Sequence, residues 1–356
     1  MTNKPTKPTK PIKPAKPIKR IALLTSGGDA PGMNAAIRSV VLAAHHYHIE
    51  VIGFYHGYNG LVCEEHIDMA ELLTLEKVNG IIHFGGTILK SARCPLMLEE
   101  KGLKLAADTL KANNIDALVV IGGDGSFSGL LALKKHWSGQ MIGIPGTIDN
   151  DLDGTDYTIG FATAVNTGIE AIDKIRDTAD AFERIFIVEL MGRHCGHITF
   201  NVGIACAAEQ VLSFENFNAN EQSLKLQHLA AEITTAKKNR HSSYIIVIAE
   251  NLWPGGAAEL AKQLHLQADI ECTPCILGHI QRGGSPIAKD RILATKMGVA
   301  AVQALIDGKS NVMVAEKNNE MHFISLDEAI KHKKLVSKQL IDAQQNILAL
   351  TAQTQC

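Results

Sequence analysis

The stretch Ala117-Leu118-Val119-Val120-Ile121-Gly122-Gly123-Asp124-Gly125-Ser126 runs from unbroken apolar residues straight into a glycine-rich polar loop. A continuous apolar run bounded by glycine fits a strand buried on both faces, as in a parallel sheet, better than a half-exposed strand with alternating character. The same event recurs twice. Ile21-Ala22-Leu23-Leu24 leads into Thr25-Ser26-Gly27-Gly28-Asp29-Ala30-Pro31-Gly32-Met33-Asn34, and Met141-Ile142-Gly143-Ile144 leads into Pro145-Gly146-Thr147-Ile148-Asp149-Asn150-Asp151. In a parallel sheet these ends share one edge, where open α/β sheets bind ligands. Glycine lets a backbone N–H approach an anion closely, and a helix starting just beyond adds its positive dipole end. Three such loops on one edge predict a phosphate-binding site.

Outward from these loops, strand-length runs at 20–25, 50–55, 116–121, 140–144, 184–190, 243–250 and 272–277 alternate with helical periodicity at 33–46, 102–112, 161–179, 221–236, 256–267 and 287–306. This order predicts an α/β fold of two lobes, each a mostly parallel sheet with helices on both faces, with the active site in the cleft between them. Residues 326–352 read as helical, packing back across a lobe without chemistry of their own.

Composition narrows the class. The chain has 356 residues, 46% hydrophobic and 5% aromatic, with 30 glycines, which suits a glycine-turned α/β protein. No apolar run approaches the roughly 18 residues of a membrane span. Seven cysteines without framework spacing favour a reduced, cytoplasmic protein. Residues 1–20 carry six lysines, Arg20 and no acid, so a net charge of −2 leaves the body near −9, a poor match for nucleic acid. The Lys/Pro tail, 1–19, has proline at every third position from Pro5 and reads as disordered polyproline II; tethering to an acidic partner is the other reading. Known phosphate motifs do not apply. Gly308-Lys309-Ser310 has Gln303 where a P-loop needs glycine, and the protein-kinase motif set is absent.

Read in order, the three loops resemble those of bacterial-type ATP-dependent 6-phosphofructokinases. Three further motifs carry the resemblance: Gly85-Gly86-Thr87-Ile88-Leu89-Lys90-Ser91-Ala92-Arg93, Met191-Gly192-Arg193-His194-Cys195-Gly196 and Gly278-His279-Ile280-Gln281-Arg282-Gly283-Gly284. The resemblance implies a cytoplasmic Mg²⁺- and ATP-dependent glycolytic kinase that phosphorylates fructose 6-phosphate at the C1 hydroxyl. It also implies an allosteric homotetramer with active sites at subunit interfaces, and neither nucleic acid nor membrane as partner. It divides the chain into a nucleotide-binding lobe, 20–159 plus 280–330, and a sugar-phosphate and effector lobe, 160–279 plus 331–356.

Phosphoryl transfer needs an aligned nucleophile, a metal on the phosphates and positive groups around the oxygens that gain charge. On this reading Asp149 takes the sugar hydroxyl proton, Asp151 tunes it and orients the metal, and Thr147 offers its hydroxyl to the migrating group. Asp124 holds Mg²⁺. Gly28, Arg93, Cys94, Gly123, Gly125 and Ser126 join Asp124 around the nucleotide. Thr147, Asp149, Arg184, Met191, Gly192, Arg193, Glu250, His279 and Arg282 face the sugar phosphate, Arg193 also taking part in catalysis. Arg38, Arg176 and Glu209 match an effector site. A bland alternative has Asp149 and Asp151 capping a following helix. Gly125 and Gly146 stand where pyrophosphate-using relatives carry an acid and a lysine, which favours ATP.

The chain departs from the family pattern in two places. Thr273 replaces an arginine that reaches the 6-phosphate in a neighbouring subunit, which leaves a kinase of another sugar phosphate as the alternative; a catalytically weak regulatory homologue is a third reading. Leu42 replaces an effector-site arginine, the 64–79 stretch has none, and the basic loop at 237–241 is out of register, so weak or altered allostery is expected. Cys272-x-x-Cys275 lacks the second pair of a zinc site and leaves a redox pair open. His194 and His197, flanking Cys195, read as packing or surface.

Overall fold

A computed structural model describes residues 17–63, 69–238 and 243–353. Most of the Lys/Pro tail and part of the basic loop at 237–241 lie outside the described residues.

The strands are β1 (Arg20–Thr25), β2 (Glu50–Phe54), β3 (Ala70–Leu72), β4 (Ala117–Gly122), β5 (Gln140–Thr147), β6 (Ile159–Gly160), β7 (Ile185–Leu190), β8 (Gln210–Leu212), β9 (Tyr244–Ala249), β10 (Cys272–Ile276), β11 (Val312–Lys317) and β12 (Glu320–Ser325). They form two sheets. One runs β12-β11-β5-β4-β1-β2-β3 with β6 added beside β5, and the other runs β10-β7-β9-β8. Every pairing is parallel except β2 with β3 and β11 with β12.

Side-chain alternation explains the layering. In β1, Ile21 and Leu23 point into one core, while Ala22 and Leu24 point into another on the opposite face. In β7, Phe186 and Val188 enter the same core as Ile21, whereas Ile185 and Ile187 enter a third. One apolar core therefore lies between the two sheets and one covers the far face of each, so the central strands of both sheets are buried on both sides as their unbroken apolar runs require, while the edge strands β3, β10 and β12 are partly exposed. The contacting apolar surface between the sheets fixes how their strand ends face each other.

Some elements differ from the sequence reading. The helix read at 161–179 is Phe161–Phe182, but residues 152–158 are non-helical and it starts only after β6, so Asp149 and Asp151 do not cap it. β5 continues through Pro145 to Thr147, where it meets β6. A helix over Asp124–Leu133 was hidden by its Gly- and Ser-rich start, which has low intrinsic helix propensity. The β11–β12 hairpin turns at Asn318 and Asn319, with φ of 53° and 66°, the two left-handed positions that a type I′ turn demands. The C-terminal segment is two helices, Leu326–Lys331 and Lys338–Gln353, with an extended span between. Cys272 and Cys275 both lie in β10, but Cys272 packs against the outer core of the second sheet and Cys275 against the shared core. Side chains three apart in a strand point to opposite faces, so no disulfide forms between them without rebuilding the strand.

The helix Phe161–Phe182 begins without a cap of its own: Gly160 precedes it at φ 99°. Its free N–H groups are met by Asp290, fully buried, whose carboxylate accepts from Gly160 N (2.9 Å), Thr163 N (2.7 Å) and Thr163 Oγ1 (2.5 Å). Asp290→Ala leaves these donors unpaired, so urea unfolding is expected to show a loss of about 2–4 kcal/mol, with Asp290→Asn recovering part of it.

Candidate functional site

The loops singled out in the sequence meet at the C-terminal ends of the parallel strands. The loop after β1 is tied to the segment before Arg93 by Thr25 Oγ1 donating to Lys90 O (2.7 Å) and Ser91 Oγ donating to Gly27 O (2.7 Å). It is tied to the loop after β4 by Ser126 Oγ donating to Ser26 O (3.1 Å), so the Ser126 hydroxyl is buried between loops. Gly28 is exposed, and a Cβ there would lie 2.5 Å from the Arg282 guanidinium, which donates to Asp29 O at 3.2 Å. A glycyl amide and a guanidinium thus share one edge, as anion binding needs.

Across from them, Gly123 precedes the helix Asp124–Leu133, whose first turn presents free N–H groups. Gly125 is exposed and a Cβ on it would meet nothing within 4 Å. The Asp124 carboxylate pairs with Arg193, Nη1 lying 3.1 and 3.2 Å from its two oxygens, both side chains about half exposed. This pair joins the loop after β4 in one sheet to the loop after β7 in the other.

Arg193 is held in an unfavourable backbone conformation, φ 60°. Glu250, just past β9, supports it: its Oε1 accepts from Gly192 N (3.1 Å) and Arg193 N (2.7 Å), while Asn251 Nδ2 donates to Arg193 O (3.1 Å). Met191 N donates to the fully buried Gln281 Oε1 (2.8 Å), which locks the Met191–Arg193 turn onto the Gly278–Arg282 segment. Gln281 and Asn251 were not singled out in the sequence. Gln281 sits inside a quoted motif, but only its burial shows why a glutamine stands there.

Thr147 ends β5 and its Oγ1 accepts from Asp149 N at 3.2 Å. Asp149 and Asp151 are each 6% exposed, and Asp149 Oδ1 has no hydrogen-bond partner. Burial, then the Asp151 carboxylate, pushes the Asp149 pKa from 3.8 up to about 6, against the pull of Arg282 and Arg193. Burial and then Asp124 also raise Asp151, with Lys333 and Arg193 opposing. The Cys195 thiol, beside them, donates to Asp149 O (3.2 Å) and is raised by burial and both carboxylates to about 12, so it stays protonated. His194 is exposed against Phe214, and His197 is buried.

Arg93 and His279 are exposed at the rim; Cys94, half-buried, starts the short helix Pro95–Leu98. Arg184 is elsewhere. It precedes β7 at the end opposite Arg193, about 20 Å along the strand, exposed and stacked 4.5 Å over Phe182. Thr273, paired with Phe186 in the strand register, lies at that same far end. Of the effector-type residues, Arg38 borders a hollow with Leu42, Leu75 and Glu76. Arg176 is fastened to Glu209 (3.0 Å) and to the carbonyls of Cys206 and Ala207, and Glu209 also accepts from Ile245 N.

No cluster of three or more metal-ligating side chains exists among the described residues, although three carboxylates converge here. These hard oxygen donors, with Asp124 partly exposed and open space beside Gly125, fit a divalent ion that arrives already bound to phosphates.

The raised Asp149 pKa has a stability cost with a definite sign. Between pH 4 and 6, roughly, the folded state binds more protons at this carboxyl than the unfolded chain does, so this group's contribution to stability falls as pH rises through that window. Asp149→Asn is expected to raise unfolding stability at pH 7.5 by up to about 3 kcal/mol, a gain that vanishes below about pH 4 in a pH series of urea melts.

The chain is similar over most of its length to proteins of one family. A model described as phosphofructokinase matches residues 20–305. The chain is 47% identical to an ATP-dependent 6-phosphofructokinase 1 of Thermus thermophilus, covering 93% of this chain and 99% of the relative. It is 49% identical to an ATP-dependent 6-phosphofructokinase of Clostridioides difficile, covering 90% and 96%. A phosphofructokinase structure from Saccharomyces cerevisiae superposes with a TM-score of 0.79 at 32% identity, over 92% of this chain and 47% of that one, so this chain spans about half of the yeast polypeptide. A pyrophosphate-dependent phosphofructokinase from Marinobacter aquaeolei shares the fold, with a TM-score of 0.77 at 21% identity over 93% and 92%. The chain belongs to the phosphofructokinase family.

Proposed function

We propose that this phosphofructokinase-family chain is an ATP-dependent 6-phosphofructokinase that transfers the γ-phosphoryl group of ATP to the C1 hydroxyl of fructose 6-phosphate, the glycolytic reaction. The observation that carries this reading is the buried Asp149 carboxyl with an unpartnered oxygen, set where the anion-binding loops of both sheets converge. A carboxyl raised to about 6 is ionised at neutral pH yet basic enough to take a proton from an alcohol as it attacks. The new bond forms between the C1 oxygen and the γ-phosphorus, the bond to the β-phosphate oxygen breaks, and ADP leaves with the electron pair.

Around that event the chain supplies positioning and charge. Gly28 offers its amide and Arg282 its guanidinium to phosphate oxygens; Arg193, steadied by Glu250, offers a second guanidinium from the other sheet. Asp124 would hold Mg²⁺, which when bound neutralises phosphate charge. Thr147, already accepting from the Asp149 amide, fixes the distance between the strand end and the base. Gly123 and Gly125 leave room for a nucleotide beyond its terminal phosphates, and Arg93, Cys94 and Ser126 border that side. Met191, Gly192, His279 and Glu250 border the sugar side.

Arg184 bears on assembly. Its guanidinium faces solvent at the far end of β7, where it cannot reach Asp149 of its own chain, which supports a role in a neighbouring subunit's site within a homotetramer. Arg38, Arg176 and Glu209 would belong to an effector site. With Leu42 bordering the Arg38 hollow and Arg176 bound to Glu209, we expect weak or altered allosteric control. A reduced, cytoplasmic setting suits the free cysteines of the described residues, and no described helix is long and apolar enough to cross a membrane.

Asp149→Ser is expected to lower kcat by about 10²–10⁴ in a coupled assay with Mg-ATP and fructose 6-phosphate; undiminished turnover sinks the proposal. For the unaltered enzyme, kcat/KM falls as pH drops through about 6, where Asp149 takes up its proton. Thr273→Arg, which adds a guanidinium beside Arg184, is expected to lower the KM for fructose 6-phosphate several-fold; an unchanged KM shows that the 6-phosphate sits elsewhere.

A further inference from the structure

The loop that carries Asp149 and Asp151 is held from outside by a part of the chain far away in sequence. Its two carbonyls at Asp149 and Asp151 accept from Cys195 Sγ (3.2 Å) and from Lys334 N (3.0 Å). Asp153 N donates to Ala329 O (3.3 Å), and Leu152 bridges Lys333 in antiparallel fashion. The Lys334 ammonium reaches the far end of the loop and donates to Asp156 O (2.5 Å), while the Lys334 carbonyl meets His197 Nε2 (3.0 Å) at the first turn of the helix His197–Ala205. Residues 332–337, the extended span between the two C-terminal helices, thus cross the acid loop as a strap. The strap is anchored on both sides: Leu326 and Ala329 sit in the outer core of the first sheet, and Val336 in the core between the sheets.

We infer that Lys334 is a positioning residue for the reaction, clamping the 149–156 loop so that the Asp149 carboxyl stays buried and aimed into the cleft. Two like-charged carboxyls buried two residues apart repel each other, and the cheapest relief is for the loop to swing one of them into water. The loop is tied within itself, Thr158 Oγ1 donating to Thr147 O (2.6 Å) and Thr158 N to Asn150 Oδ1 (3.0 Å), and to the β11–β12 hairpin, Asp156 N donating to Glu316 O (2.7 Å) and Asn318 N to Asp156 Oδ2 (2.7 Å). To these the strap adds its own ties. Lys334 gives two of them, one from its backbone and one from its side chain, and joins the loop to the helix that follows Arg193. Its ammonium faces Asp153 and Asp156 as well as Lys289, and its largest perturbation is burial, which lowers its pKa to about 8. It has been drawn out of water to reach a neutral carbonyl, a cost to stability that Asp153 and Asp156 offset only in part.

This inference rests on Asp149 being the base, so two variants separate the claims. Lys334→Met keeps the stem's packing and removes the donor; Lys334→Arg keeps a donor and the charge. The readouts are hydrogen–deuterium exchange of the peptides spanning 148–156, steady-state kinetics normalised to titrated ATP-binding sites, and the thermal midpoint. Lys334→Met is expected to speed exchange in 148–156 selectively and to lower kcat about tenfold or more at an unchanged KM for ATP, with Lys334→Arg restoring most of both. Unchanged exchange, unchanged kcat, or exchange sped equally across the whole chain overturns the positioning role. Asp149→Asn runs alongside, with exchange in 148–156 expected no faster than in the unaltered enzyme because the repulsion is relieved; if it retains turnover, the base assignment fails irrespective of what Lys334 does.

Discussion

Two carboxyl groups two residues apart, Asp149 and Asp151, are buried in a single loop, and much of the architecture answers to that placement. Taking like charges out of water together is unfavourable by several kcal/mol unless cations or hydrogen bonds answer them. Here the answer comes from separate parts of the chain: Arg282 and Arg193, beyond strand ends, face Asp149, while Arg193 and Lys333 of the C-terminal span face Asp151. No single βα unit could supply all of these. The charges can be gathered only if two sheets present their C-terminal edges to one point, which the shared apolar core between β1 and β7 enforces.

The same arrangement explains why the site tolerates backbone strain. Arg193 sits at φ 60°, a conformation that costs a residue with a side chain, and Glu250 and Asn251 from the end of β9 hold it there with two hydrogen bonds and its neighbour Gly192 with a third. Gln281 does the equivalent for Met191 from the end of β10. On the proposed mechanism, the groups that meet the transferring phosphoryl are thus fixed before substrate arrives, and the reorganisation cost falls on folding rather than on catalysis. Asp149 shows the other side of this bargain: the burial that makes it a stronger base also weakens the fold at neutral pH.

Membership of the phosphofructokinase family and high identity to ATP-dependent enzymes coexist with local departures far from Asp149. Thr273 and Arg184 lie at the opposite end of the second sheet, and Leu42 borders a surface hollow beside Arg38. Substitutions at such positions leave the burial and charge balance of the acid loop untouched; under the roles proposed above, substrate affinity and regulation can then change while the chemistry is kept.

The amino-acid order was enough to reveal the strand-to-glycine junctions at Ile21–Gly28, Ala117–Gly125 and Met141–Asp151, because sheet burial and anion-binding loops each impose a local pattern of residue types. It was also enough for the alternating α/β order and the motifs around Arg193 and Arg282. It hid the helix Asp124–Leu133, whose glycines and serines argue locally against a helix, and it left open a capping role for Asp149 and Asp151 that the start of the next helix at Phe161 excludes. It gave no hint that Gln281 would pin Met191, that Cys195 would touch the Asp149 carbonyl, or that Lys334 would cross the acid loop. Those contacts join residues between 46 and 183 positions apart. Local patterns report what each segment needs of its own neighbours, whereas the elevated pKa of Asp149 and the strap over its loop arise from which distant segments share a core, and only the packed structure decides that.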